Sequence, residues 1–300
     1  MLEQSRDPSI FADVVKELRL KPPVVIKPNW GTINNYTEAQ VIDAVLSAIN
    51  GEAVVTESYG WARAEDAVKG LGPGSMRKEA LRKSDEWFLK TSGVGDVLKR
   101  HGVEYVNVTE EVWGKRTVDS ETIKGLMKYS PVEAEEFYAQ VPKKLFDLRG
   151  GTFLSLAKYR LNHDPIAFSL TLKNFFGMIP GPGRAKYHGK ENEKLSTNIV
   201  DINKVYRSVF TVKGMVDGFY TASRGKTEEQ AIKPEIAENM GVVLGSENGV
   251  KLDAFVAAME GRDPEKIDYF KLASTVFGGW EKRDIEAAKK CGVSVWKNIK

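Results

Sequence analysis

Val24-Val25-Ile26-Lys27-Pro28-Asn29, followed by Thr37-Glu38-Ala39-Gln40-Val41 and then Ala53-Val54-Val55-Thr56-Glu57-Ser58, decides the fold of this chain. The first β-branched run, stopped by Pro28, reads as a buried strand. Thr37 to Gln40 has the spacing of a capping box. Behind it Val41, Ala44, Val45, Ala48 and Ile49 fall on one helical face. Ala53 to Thr56 reads as the next buried strand, Gly95 to His101 as another helix, and Val103 to Val108 as a third strand. Strand, helix and strand at these lengths predict right-handed βαβ units and a parallel sheet.

Working outward, residues 109–150 are polar and weakly periodic, and read as an insertion with short helices around Pro131 to Gln140. Gly150-Gly151 precedes a buried strand at Thr152 to Ala157. Asp164-Pro165 has the chemistry of a helix start, with Asp as N-cap and Pro at N1, and Gly177 that of the residue past its end. The alternation of Ile166, Phe168, Leu170 and Leu172 suits a strand as well; the cap signals favour a helix. Val209 to Val216 and Val242 to Leu244 read as strands, and Leu252 to Glu260, Pro264 to Phe277 and Ile285 to Lys290 as helices. Val293 to Val295 reads as a short closing strand. The expectation is one α/β domain over residues 1–300: a mainly parallel sheet with helices on both faces and an insertion at about 109–150.

Composition removes several function classes. With 44 Lys and Arg against 41 Asp and Glu, the net charge of +3 is too small for a duplex-binding surface, so no nucleic-acid role is expected. The single cysteine, Cys291, excludes an intrachain disulfide and an iron–sulfur cluster ligated by this chain alone. The N-terminus carries no signal-peptide pattern and no run is long enough for a membrane helix, so the expected location is the cytoplasm and no membrane contact is expected.

In open parallel sheets ligands bind beyond the carboxyl ends of the strands. That rule selects Lys27, Pro28, Asn29 and Trp30 after the first strand, Glu57, Ser58, Tyr59 and Gly60 after the second, and Lys158, Arg160, Asn162 and His163 after the 152–157 strand. Singly each is an ordinary turn residue; their convergence on one edge marks a site. His163 at a helix N-terminus would be held neutral, as a base or metal ligand, or would be a surface hydrogen-bonder. Lys173, set among Leu172, Phe175 and Phe176, either snorkels or sits in a pocket as a charge partner. The Pro180-Gly181-Pro182-Gly183 loop lets backbone approach a ligand at Gly181 and Gly183. Arg184, Lys186, His188, Lys190 and Lys194 beyond it would clamp an anion or form a solvated face. His163 and His188 with Asp164, Asp201 or Asp217 would make a mixed metal site, but no metal motif is present and the metal remains unassigned.

These same residues give the chain a family likeness. Lys27-Pro28-Asn29 with Thr37 to Val45, Glu57-Ser58, Lys158, His163, Leu172-Lys173-Asn174-Phe175-Phe176-Gly177, the Pro-Gly-Pro-Gly-Arg-Ala-Lys-Tyr-His run, Val216-Asp217-Gly218 and Lys251 to Ala254 resemble the domain of unknown function 362 family. Ala157 and Asn162 stand where that pattern has proline and threonine. Many relatives carry ferredoxin-like modules, which the resemblance does not transfer to a chain with one cysteine. A looser likeness in kind and order, His163, Lys173 and His188, is to nickel-pincer lactate racemase and its relatives.

The resulting expectation is a cytoplasmic enzyme that binds a small anionic metabolite or cofactor, with redox or isomerisation chemistry. His163, Lys173 and His188 are the catalytic candidates. Asn29, Glu57, Ser58, Lys158, Asn174, Gly181, Gly183, Arg184 and Asp217 are the binding candidates. No cofactor is named. The alternative is a non-enzymatic protein that docks a ferredoxin-like electron carrier through the basic 184–194 loop.

Overall fold

The computed structural model describes residues 2–4, 7–31, 35–162, 166–223, 235–237 and 241–291. Their strands are β1 (Leu2–Gln4), β2 (Val24–Lys27), β3 (Ala53–Glu57), β4 (Glu104–Asn107), β5 (Thr152–Arg160), β6 (Thr211–Ser223), β7 (Glu235–Ala237) and β8 (Val242–Ser246). They form one sheet in the order β1-β8-β6-β5-β2-β3-β4, with β7 paired to the far end of β6. The five strands from β4 to β6 run parallel, and β8, β1 and β7 add antiparallel pairings at the other side.

Burial on both faces explains the continuous apolar strands. Val24 and Ile26 face a core built with Phe11, Val14, Val41, Val45 and Leu98, from the helices Ile10–Leu18, Ala39–Ala48 and Val94–His101. Val25 and Phe153 face the opposite core, with Tyr206 and Val256 from the helices Leu195–Val209 and Gly249–Met259. Alternate residues of one strand therefore serve two helical layers, as the pleat dictates.

Chain order places the site. The chain steps outward from β2 to β3 to β4 at the edge, then returns to lay β5 against the other side of β2. The reversal falls between β2 and β5, where Lys27 lies opposite Ser155. Such a switch opens a crevice at the strand ends, because the connections leave in opposite directions.

Residues 108–150 make that return. They hold the helices Val108–Trp113, Ser120–Leu126 and Lys143–Phe146 and a 3-10 turn at Glu135–Gln140. Although polar overall, they give Ile123, Val132, Phe137, Tyr138, Val141 and Leu145 to the main core. Few contacts per turn, widely spaced in sequence, is why periodicity there is faint.

Several local expectations are corrected. Thr37 is not a helix cap: Glu38 takes the N-cap position without a side-chain bond. The Thr37 hydroxyl instead accepts the Asn29 N–H at 3.0 Å, and its carbonyl accepts the Trp30 indole N–H at 3.0 Å. The expected helix start at Asp164-Pro165 lies outside the described residues; past it the described helix spans Thr171–Asn174, followed by a 3-10 turn at Phe175–Met178. Phe168 forms an isolated antiparallel bridge with Leu161, and Leu172 lies in the short helix, so the strand alternative over Ile166 to Leu172 is not formed either. Gly177 lies inside the 3-10 turn rather than past a helix end. Val209 closes a helix, and β6 starts at Thr211. The strand expected at Val293 to Val295 falls outside the described residues.

Candidate functional site

Lys27 and Glu57 are the last residues of neighbouring parallel strands, so their side chains meet at the switch point. The Lys27 ammonium donates to Glu57 Oε2 at 2.6 Å, to the Pro28 carbonyl at 2.7 Å and to Asn174 Oδ1 at 3.1 Å. Three acceptors occupy its three protons. Glu57 in turn accepts the Ser58 N–H at 3.0 Å and the Trp30 N–H at 3.4 Å. Asn174 donates back to the Lys27 carbonyl at 2.9 Å and to Ser155 Oγ at 3.1 Å, tying the Thr171–Asn174 helix to β2 and β5. Burial pulls the Lys27 pKa below the usual lysine value, and the Glu57 carboxylate pushes it back.

Above this pair lies a cavity of about 100 Å³, bounded by Asn29, Arg160, Lys173, Phe176, Arg184 and His188 together with Lys27 and Glu57. Gly177 is required at its floor. A Cβ there would come within 2.7 Å of the Lys27 Nζ and Cε, and closer still to Glu57 Oε1. Arg184 is buried and donates to the Tyr59 and Phe176 carbonyls. Burial lowers its pKa from the ordinary arginine value, with Glu57 opposing the shift; arginine stays charged all the same. The Lys173 ammonium stands 5.8 Å from the Phe176 ring centre. Asn29 Oδ1 is buried with no hydrogen-bond partner among the described residues.

His188 completes the wall. Its Nδ1 pairs with Asn192 Oδ1 at 2.8 Å, and its ring meets Phe176 edge-on at 5.1 Å and Trp61 at 5.3 Å. Burial lowers its pKa, with the Lys173 and Arg184 charges adding to the effect against the Asn192 bond. The imidazole is therefore neutral near pH 7 and able to accept a proton. Arg160, Lys173 and Arg184 all line the cavity, beside the Lys27–Glu57 pair.

The model of a family described as a domain of unknown function (DUF362) matches residues 24–258. The chain belongs to this family. The DUF362 match runs from β2 to the helix Gly249–Met259 and includes every cavity residue named above. No curated protein and no solved structure matches the chain.

Within the DUF362 region the cavity brings together Asn29, Glu57, Lys173, Asn174, Arg184 and His188 of the residues expected from sequence. Ser58 is buried beside Glu57 but does not line the cavity. Gly181 and Gly183 do not line the cavity: the Gly181 N–H donates to Thr109 Oγ1 at 2.9 Å, and Gly183 takes a φ of 108° before Arg184. Lys158 and Asp217 belong elsewhere. Lys158, buried like Asp217, donates to Asp217 Oδ2 at 2.9 Å and to both oxygens of the half-buried Glu38 at 2.7 and 2.8 Å. Successive strand residues point to opposite faces, so Lys158 cannot share a direction with its neighbours Ala157 and Tyr159. His163 lies outside the described residues. The third histidine, His101, pairs with Asp43 at 2.6 Å on the Val94–His101 helix.

Two features escaped the sequence reading. Trp61 reaches the cavity from the start of the helix Trp61–Ala67, and no local pattern marks it. Lys27 stood among the edge residues without a role; its position at the end of a strand, before proline, was the available signal. For metals the residues offer little. Among the described residues no three His, Cys, Asp or Glu side chains converge. Asp201, once a ligand candidate, is held by Lys204 at 2.8 Å and by the Glu133 N–H at 2.7 Å. No helix among the described residues is long and apolar enough to cross a membrane.

Proposed function

We propose that the chain is a cytoplasmic enzyme that binds a small anionic metabolite or cofactor in this cavity and moves a proton on it. The observation that carries the reading is the chemistry of the wall: Arg160, Lys173 and Arg184 line one cavity, whose carboxylate among the described residues, Glu57, is engaged by Lys27. A carboxylate or phosphate group would lie among the three cations, with the Asn29 amide oxygen left to accept from a ligand hydroxyl or amine. His188, neutral at working pH, would take the proton. Among the two chemistries expected, isomerisation needs only these groups, whereas redox chemistry needs an added electron carrier.

The docking alternative loses support. Arg184 turns inward and Lys186 is paired with Glu136 at 3.3 Å, so the 184–194 loop offers fewer outward charges than its sequence suggests.

Calorimetric titration with inorganic phosphate and with small carboxylates tests the proposal. Lys173→Ala should weaken binding about tenfold or more, the scale of one lost charge-assisted hydrogen bond, and leave the melting temperature nearly unchanged. Binding should weaken with salt. Unfolding of Lys173→Ala without a change in affinity would make the lysine structural. A wild-type protein that binds no anion would overturn the reading.

A further inference from the structure

The cationic wall explains why an anion enters but not what carries it. The cavity of about 100 Å³ holds an acid group and a few more atoms, so the rest of a larger ligand sits at its mouth. There stands Trp61, 43% exposed to solvent. Exposure alone decides nothing: Trp87 is 53% exposed on the helix Ser75–Thr91 and lines no part of this cavity. What distinguishes Trp61 is that it borders the cavity and that its backbone is fixed from both sides.

Before it, Gly60 packs so closely on the Trp30 carbonyl that a Cβ would overlap it. After it, the Ala62 N–H donates to the Gly31 carbonyl at 3.1 Å. Arg63, buried, donates to the Trp30 carbonyl at 3.0 Å and to Asp85 Oδ1 at 3.1 Å, and lies 3.7 Å from the Phe88 ring centre. A rigid turn thus presents an indole to solvent beside a cationic cavity. The indole also continues the aromatic surface formed by His188 and Phe176. Flat π surfaces attract other flat π surfaces, in offset or edge-on contact, more strongly than saturated groups of equal size.

We infer that the cavity takes an acid carried on an aromatic or heteroaromatic ring, with the acid group among Arg160, Lys173 and Arg184 and the ring against Trp61. This inference rests on the anion-binding reading above. Trp61 is then a specificity residue, and the acid group and the ring are recognised by separate walls.

Benzoate and cyclohexanecarboxylate carry the same charge on rings of similar size, and one is flat and aromatic. Both are titrated calorimetrically into the wild type and into Trp61→Ala, Trp61→Phe and Lys173→Ala, with phenyl phosphate and inorganic phosphate as a second pair. The wild type should prefer benzoate about threefold to tenfold, the scale of one aromatic contact. Trp61→Ala should bring that ratio close to one, and Trp61→Phe should keep most of it. Lys173→Ala should weaken both acids alike. Equal binding of the two acids in the wild type, or a preference that survives Trp61→Ala, would overturn the aromatic inference and leave the anion cavity standing. No binding of any of the four probes would remove both.

Discussion

Glu57→Gln isolates the central ion pair. Lys27 and Glu57 have side chains only 1% and 4% exposed, so water cannot replace the lost charge. The substitution leaves an ammonium held by the Pro28 carbonyl, the Asn174 oxygen and a neutral amide. Breaking a buried pair by removing one partner costs about 3–5 kcal/mol. Glutamine keeps one acceptor oxygen, which recovers about 1 kcal/mol, so the expected loss is about 2–4 kcal/mol. That is a large part of the roughly 5–15 kcal/mol that holds a domain together. Urea unfolding followed by circular dichroism should show the midpoint falling at unchanged slope, and the melting temperature should drop by roughly 4–10 °C. Lys27→Met combined with Glu57→Leu should recover part of the loss, because no buried charge remains, although Pro28 O and Asn174 Oδ1 lose their donor. A loss below about 1 kcal/mol for Glu57→Gln would mean that water reaches the pair, and the account of the cavity floor would fail.

Gly177→Ala should cost about 1–3 kcal/mol, as for other overpacked sites, and should also abolish phosphate binding, since the added methyl displaces both Lys27 and Glu57; normal stability together with normal binding would contradict the packing. Glu38 should give the protein an acid-side stability gain. Burial and Asp217 push its pKa up to about 7, against Lys158, from an ordinary 4.5. Between those values the folded state holds a proton that the unfolded state has lost, so this contribution is full below about pH 4.5 and fades as pH rises through 7. Tyr36, whose own pKa is raised by burial and by Glu38, faces the same group. Unfolding titrations of Glu38→Gln should lack that slope. For His188 the sign is opposite: its folded pKa lies below 6.5, so its contribution is full above that pH and falls as the solution is acidified. Nuclear magnetic resonance of the ring protons should give a midpoint below 6.5, moving up in Lys173→Ala; a midpoint above 6.5 would refute the buried, cation-flanked placement.

Much of this was legible in one dimension. Val24 to Ile26 and Ala53 to Thr56 are apolar on both faces and short, which only a strand covered on both sides explains. From that pattern follow the parallel sheet, its flanking helices and the rule that sends the search to the strand ends. Asn29 and Glu57 were reached in that way; Lys173 stood out by its apolar setting, Arg184 and His188 by the basic loop after the Pro-Gly-Pro-Gly run, and Asn174 by the family resemblance. The family resemblance agreed with the match over residues 24–258.

The tertiary structure decided what a linear reading cannot sum. Thr37 had two uses open to its hydroxyl, and only the fold of the 29–37 turn selects the Asn29 N–H over its own helix. The 108–150 crossover looked like an excursion because its core residues are spread thinly and acquire meaning only against helices about 60 or more residues away. Lys158 and Asp217 bear the same charges as the cavity groups and lie near the same sheet edge. The pleat and the pairing of β5 with β6 turn them towards Glu38, where they neutralise one another. Sequence thus determined the sheet, its two covered faces and the edge at which chemistry gathers, because burial periodicity is a local property. Which of the charged residues at that edge share a cavity was left to the tertiary structure, because side-chain direction depends on register between strands far apart in the chain.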